Sequence, residues 1–350
     1  MNRLLGIVMV GLVNMGCQEE EAPPPTKTPF FEDIFSTEVV QFSGGLEAEI
    51  FLPPGFNDQQ TYPIIYFNDG DGFRSVFNHL TFDYDEPFIM VGMHAGNKRT
   101  DLYTPYDDPW IDDNWGDYTP RAAAYSEQVV NEVLPYIENR YNIDQSRKGF
   151  FGMSLGGLHA AWIVMRYPNH FTFAGAMSPS FWVADYAIFN EEMDSVTRQN
   201  KFYFDIGTRE WNYYVPLIQK LKESGLSYGR QIFYYEVDGG AHNASAWVER
   251  IHIPFNLFMR GLAGTSSPSF ELHVECIPSL QTRGVYFQRL NPVISYAEGI
   301  SYSLTTETSY EIVAGKGEVK DGVFRVSGTE MTVEVKYGNW SEKVTLKNCN

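Results

Sequence analysis

Residues Gly152-Met153-Ser154-Leu155-Gly156 place a serine between two glycines, the G-x-S-x-G pattern of a nucleophile elbow. A serine hydroxyl is a weak nucleophile until a base removes its proton. The elbow sets that serine on a strained turn between a strand and a helix, so its oxygen stands clear of the sheet. The flanks supply this context. Lys148-Gly149-Phe150-Phe151 reads as a short buried strand, and 155–166 has helical composition and stops at Tyr167-Pro168-Asn169. A Gly-rich turn whose serine merely caps the helix would share the five residues, so the remaining groups decide the chemistry.

Such a serine needs an imidazole base and an acid to orient it. In α/β-hydrolases these follow in the order Ser, acid, His, each at the carboxyl end of a strand. His79 and His94 precede Ser154, His159 lies on the elbow helix, and His170 falls at the wrong end of the sheet. His252 is within the last helix, and His273 is beyond it. His242, after Asp238-Gly239-Gly240-Ala241, is left as the base. For the acid, Glu210 in the loop after a strand at 202–206 is preferred, Asp205 is the alternative and Asp238 the third choice. An oxyanion needs two backbone N–H donors. One is Leu155, and the other is Gly70 or Asp71 in the Asp69-Gly70-Asp71-Gly72 loop. Tyr103, Tyr106, Trp110 and Trp115 either wall a substrate cleft or form a loop's own small core, and Trp182 is a further cleft candidate. Asp107, Asp108, Asp112, Asp113 and Asp117 fit no ion-binding motif and read as solvated loop carboxylates, so no metal is expected.

Elements that could position these groups recur along the chain. A hairpin is predicted around Gly44-Gly45, buried strands at 62–68 and 87–93, and an amphipathic helix at 122–141 kinked by Pro135. Strands at 173–177, 202–206 and 232–237 follow, with helices at 215–224 and 246–262. Strands alternating with helices imply an α/β fold, a mostly parallel sheet covered on both faces. After a linker at 264–268, short alternating strands with Gly-rich turns imply a small, separate all-β domain of Ig-like sandwich type. Independence of that kind implies that removing 265–350 would spare small-ester turnover.

With 26 basic and 44 acidic side chains the net charge is −18, which argues against a nucleic-acid partner or charge-driven docking on anionic lipid. Aromatic residues make up 15%, enough for a ring-lined cleft as well as a core. Residues 1–17 resemble a bacterial lipoprotein signal, with Arg3, an apolar run at 4–13, and Gly16 before Cys17 as the lipidation site. Asn14 and Met15 depart from the usual residues of that motif. Gln18-Glu19-Glu20-Glu21 resembles the acidic surface-export signal of Bacteroidetes lipoproteins, and the Pro/Glu-rich stretch 18–35 is a tether. These features imply an outer-membrane, surface-exposed lipoprotein that meets the membrane only through its lipid. In an oxidising compartment the other two cysteines, Cys276 and Cys349, are expected to pair.

From about residue 39 to 262 the chain resembles the putative-esterase family of α/β-hydrolases, which includes esterase D, enterochelin esterases, feruloyl esterases and the antigen 85 acyltransferases. The likeness rests on Ile65-Tyr66-Phe67-Asn68-Asp69-Gly70, an "R…YTP" segment at 99–105, Glu132-Val133-Leu134-Pro135-Tyr136-Ile137, Gly152 to Gly157, Ser178-Pro179-Ser180-Phe181-Trp182, and Gly240-Ala241-His242-Asn243 with Trp247. It implies an α/β-hydrolase fold for 36–264, Ser154 as nucleophile, His242 as base, and an acid at Glu210, where many members have Asp. Some enterochelin-esterase-like members work with Ser and His alone. No cofactor is implied. The expected activity is serine ester hydrolysis through an acyl-enzyme, on acyl or feruloyl esters of polysaccharide. A siderophore ester, or transfer of the acyl group to an acceptor other than water, is the alternative. A surface glycan-binding protein with a relict hydrolase domain is the non-enzyme reading. The resemblance leaves 269–350 uncovered.

Overall fold

The computed structural model describes residues 35–72, 84, 86–193, 195–210, 214–278, 285–320 and 322–349. The leader, Cys17, most of the tether and His79 therefore lie outside the described residues.

A mixed eight-stranded sheet is built from β1 (Ser36–Gln41), β2 (Glu47–Leu52), β3 (Tyr62–Phe67), β4 (Ile89–His94), β5 (Ile143–Met153), β6 (Phe173–Met177), β7 (Lys201–Gly207) and β8 (Ile232–Val237), in the order β1-β2-β4-β3-β5-β6-β7-β8. β1 and β2 pair antiparallel, as does β2 with β4; from β4 to β8 all neighbours are parallel. Central strands read as continuous apolar runs because both faces are covered. Ile64 and Tyr66 enter one core layer while Ile65 and Phe67 enter the other, and Phe150 and Phe151 divide in the same way. Chain order reverses between β3 and β5, so their carboxyl-end loops run apart and open a crevice there, the usual place for a site in such sheets.

Helices α1 (Arg99–Tyr103), α2 (Pro109–Trp115), α3 (Ala122–Gln128), α4 (Leu134–Arg140), α5 (Leu155–Arg166), α6 (Val215–Glu223), α7 (Ala244–Val248) and α8 (His252–Met259) surround the sheet. The helix expected at 122–141 is interrupted by a π-helical turn, Val129–Val133, just before Pro135. Proline offers no N–H and its ring crowds the carbonyl four residues back, and the wider turn relieves this. The helix expected at 246–262 is two short ones.

The C-terminal part is all β and antiparallel: β9 (Ser269–Pro278), β10 (Tyr286–Tyr296), β11 (Ile300–Ser303), β12 (Ser309–Lys320), β13 (Val323–Tyr337) and β14 (Trp340–Lys347). These strands form one continuous hydrogen-bonded network around Leu290, Phe324, Met331, Val333, Val335 and Leu346. Cys276 and Cys349 are disulfide-bonded across 73 residues, a closure that stabilises by roughly 4 kcal/mol in the chain-entropy model.

The two sheets are less separable than the linker composition implies. Ile294, Ile300, Tyr302 and Leu304 belong to the same buried cluster as Phe233 of β8 and Phe255 of α8. Glu236 of β8 is buried, and Arg289 of β10 grips it with a fork whose Nε–Oε2 arm is 2.6 Å. Asn291 donates to the Glu236 carbonyl at 2.8 Å, and the Glu236 amide donates to Ser303 Oγ at 2.8 Å. Stripping one partner from a buried ion pair costs about 3–5 kcal/mol. Removal of 265–350 should therefore expose part of the hydrolase core and lower stability, so a truncated chain that melts no earlier than the full one would contradict these contacts.

Candidate active site

Ser154 sits between β5 and α5 with φ 57° and ψ −125°, a strained backbone for a residue with a Cβ. The turn is possible because Gly152 has no side chain: a Cβ there would lie 2.1 Å from the Gly156 carbonyl oxygen. The Ser154 amide donates to the Met177 carbonyl and the Ser154 carbonyl accepts from Ser180 N–H, both at 3.0 Å, which pins the elbow to β6 and its loop. Ser180 Oγ lies 3.3 Å from Ser154 Oγ.

His242 follows β8 and Glu210 follows β7. Nε2 of His242 is 2.9 Å from Ser154 Oγ, and Nδ1 is 2.7 Å from Glu210 Oε2. With the Nδ1 proton donated to the carboxylate, Nε2 is left to accept the serine proton. The imidazole is 40% exposed and the Glu210 side chain only 1%, so the acid end is sealed and the serine end opens outward. Trp247 meets the imidazole edge to face at 5.2 Å. Burial acts to raise the Glu210 pKa, but hydrogen bonds from His242, Ser178 and the Gly207 amide outweigh it and hold the carboxyl below its ordinary value.

Asp205, the alternative acid, has other partners. It is fully buried, accepts from Ser178 N–H at 2.9 Å and Tyr203 O–H at 3.0 Å, and pairs with Arg250 Nε at 3.0 Å. Burial raises its pKa, opposed by Arg250. Asp238, the third choice, pairs with His273 Nδ1 at 2.5 Å. Two further residues gather the acid side. Ser178 Oγ donates to Glu210 Oε1 at 2.7 Å and accepts from Trp247 Nε1 at 2.9 Å and Arg250 Nη2 at 2.6 Å. Arg250 also lies 3.4 Å from Glu210. Sequence reasoning gave neither a role, although an arginine in the apolar run around Trp247 and Ile251 was a usable signal.

Of the two amides considered in the loop after β3, one is already engaged. Gly70 N–H donates to the Met93 carbonyl at 2.8 Å, so Gly70 is removed as an oxyanion donor, and Asp71 remains with Leu155 at the first turn of α5. The loop is held by Asp69, itself at φ 59°. Arg99 grips Asp69 through Nε–Oδ1 at 2.7 Å and Nη2–Oδ2 at 3.0 Å, and reaches the Met153 carbonyl at 3.1 Å. Tyr103 accepts from the Asp69 amide at 2.7 Å and is fully buried. That corrects its assignment to the cleft: its hydroxyl is needed inside, beneath the turn. Trp182 keeps a place near the site, two residues beyond Ser180. It packs edge to face against Trp110 at 5.3 Å and Trp115 at 5.7 Å, and both of those are 52% exposed. Of the loop carboxylates, Asp108 caps α2 and ties it to the Ala184 amide, and Asp112 accepts from the Tyr118 amide.

His159, set aside as a base, is a core residue. Asn68 Nδ2 donates to the Gly156 carbonyl at 2.8 Å and to His159 Nδ1 at 3.1 Å, while His159 Nε2 lies 2.9 Å from Ser126 Oγ. Burial pushes its pKa down from 6.5 to about 3. The unfolded chain takes up this proton and the folded one does not. The contribution is therefore complete above about pH 6.5 and is lost as pH falls, by about 1.4 kcal/mol per unit. Urea midpoints between pH 7.5 and 5 should show this slope, and His159→Gln should flatten it. Equal slopes in the two proteins would contradict it.

The sequence profile described as Putative esterase matches residues 42–252. The chain belongs to this family. Among sequence relatives, the uncharacterized protein YbbA of Bacillus subtilis (strain 168) is 27% identical over 148 residues, 40% of this chain and 59% of that protein, so the match spans well under two thirds of the relative. Among solved structures, the BES protein from Bacillus cereus aligns with a TM-score of 0.51 at 20% identity, over 67% of this chain and 96% of its own. A ferulic acid esterase aligns at 0.47 with 20% identity, covering 63% and 96%, and the siderophore hydrolase EstB from Aspergillus nidulans at 0.48 with 18%, covering 69% and 98%. At 20% identity the likeness to the BES protein concerns the fold alone. The family match ends at 252, before β9–β14.

Proposed function

We propose that this protein is a serine carboxylic-ester hydrolase. The observation that carries the reading is the unbroken line from Glu210 through His242 to Ser154 at 2.7 and 2.9 Å. Ser154 Oγ attacks the ester carbonyl while His242 Nε2 takes its proton, and the oxyanion is met by the amides of Leu155 and Asp71. His242 then returns the proton to the departing alkoxide, and the acyl group stays on Ser154. Water, deprotonated by His242, attacks that acyl-enzyme, and as the acid leaves His242 returns the proton to Ser154 Oγ. Glu210 keeps the imidazole in the productive tautomer and stabilises its charged form.

The substrate is read from the aromatic cluster around Trp182, two residues beyond Ser180, whose hydroxyl meets Ser154. Trp110 and Trp115 are exposed and the half-buried Trp182 joins them edge to face, a rigid aromatic cluster that suits a flat aromatic acyl group or a sugar ring. An acyl or feruloyl ester of polysaccharide supplies one or both. Export as a surface lipoprotein through Cys17, outside the described residues, is part of the same proposal. Purified protein assayed side by side on acetylated sugar, feruloylated oligosaccharide and a siderophore trilactone should give its highest kcat/KM on the feruloylated substrate. A preference for the trilactone would move the assignment to a siderophore ester, and no turnover of any ester would end the hydrolase reading.

A further inference from the structure

The β strands beyond the family match reach back to the loops that carry the acid and the imidazole. Those loops already touch each other. Gly207 and Gly240 pack backbone to backbone, so closely that a Cβ on Gly207 would fall 2.2 Å from the Gly240 oxygen. Thr208 N–H donates to the Val237 carbonyl at 3.0 Å and Arg209 N–H to the Gly240 carbonyl at 3.1 Å. Glu275, on β9, enters this seam. Its Oε2 accepts the Thr208 hydroxyl proton and lies 3.2 Å from the Gly239 amide. That amide also donates to Thr208 Oγ at 2.8 Å. Two residues earlier on the same strand, His273 holds Asp238. Thr208 is two residues from Glu210, and Gly239 is three from His242. β9 itself is fixed along its length to β10, and Cys276, next to Glu275, is bonded to Cys349 beyond the last strand.

We infer that Glu275 is a positioning residue for the proposed hydrolase, and that the C-terminal sheet serves as a brace setting the Glu210 and His242 loops in register. The inference rests on the function proposed above. One carboxylate oxygen bonds both loops at once, so their spacing depends on a residue neither contains. Side-chain misplacement of about 1 Å costs up to about a hundredfold in rate. Here the Gly207–Gly240 contact remains when Glu275 is truncated, so the expected loss is smaller.

Glu275→Ala should lower kcat on a simple aryl ester about tenfold with KM unchanged within about twofold, and should slow labelling of Ser154 by a fluorophosphonate to the same degree. Glu275→Gln keeps an acceptor oxygen for both donors and should restore both rates. Thr208→Val removes the shared hydroxyl and should resemble Glu275→Ala; should the alanine variant fail to fold, the valine variant decides by the same readouts. The low-field Nδ1 proton resonance of His242 reads the imidazole–carboxylate bond without any substrate, and should shift or broaden in Glu275→Ala and recover in Glu275→Gln. Folded Glu275→Ala or Thr208→Val protein with wild-type kcat and an unchanged resonance would overturn the brace. If the wild-type protein turns over no ester and Ser154 resists the fluorophosphonate, the hydrolase reading falls instead. The resonance alone then decides whether Glu275 sets the two loops.

Discussion

Ser154→Ala should lower the turnover of a simple aryl ester by about a millionfold while leaving the protein folded. The size follows from the way the three groups work. In the proposed mechanism Ser154, His242 and Glu210 act as one relay, so without the serine oxygen the imidazole has nothing to activate and the carboxylate nothing to orient. What survives is the small rate that binding and the oxyanion amides give to direct attack by water. Stability should change little. Among the described residues the lost oxygen bonds only to His242 and Ser180, and the strained backbone at φ 57° is present in serine and alanine alike. The check is kcat/KM together with a thermal melt. An unchanged rate in a folded variant would remove the enzyme assignment, because among the described residues no other side chain is hydrogen-bonded to His242 Nε2 as an attacking group.

Glu210→Gln should cost about ten-thousandfold in kcat, because an amide facing Nδ1 offers a donor where the imidazole needs an acceptor. The ring then carries its proton on Nε2 and cannot take one from Ser154. Asp205→Asn separates the two carboxylates by consequence. Asp205 pairs with the buried Arg250, not with His242. Weakening that pair should appear mainly as lost stability, approaching the about 3–5 kcal/mol expected when a buried pair loses a partner, with kcat per folded molecule kept within about tenfold. Measuring kcat and denaturant midpoints for both variants distinguishes a carboxylate that orients the base from one that supports the scaffold. The reverse pattern, a catalytic collapse at Asp205 and a stability loss at Glu210, would reassign the acid.

The contrast between these carboxylates shows where sequence reasoning reached its limit. Asp205 and Glu210 are five residues apart at the end of the same strand, and both face the histidine loop in a one-dimensional reading. The difference is one of direction. Asp205 lies in β7 and its side chain turns into the layer occupied by Tyr203 and Arg250, whereas Glu210 is past the turn and meets the imidazole. Gly70 and Asp71 differ in the same manner: one amide faces Met93 on the neighbouring strand, the other does not. Tyr103 looked like a cleft ring because its neighbours are polar and aromatic, yet its hydroxyl is held beneath the Asp69 turn.

The chain by itself determined the elbow, the order of serine, acid and histidine, the alternation of apolar strands with helices, and the change to all-β patterning near residue 265. Each is a local matter of glycines at a close approach, periodicity, and strand ends. Tertiary structure alone decided which carboxylate meets the imidazole, which amide is free to face an oxyanion, and how Arg250 and Ser178 gather the acid side. It also joined the C-terminal sheet to the hydrolase fold, through Ile294, Ile300, Tyr302 and Leu304 in a shared core, Arg289 on Glu236 and Glu275 between the two loops. The physical reason is that a pattern along the chain records what a residue is next to in sequence. A hydrogen bond or a buried ion pair depends on where its side chain points and on which distant strand folds over it.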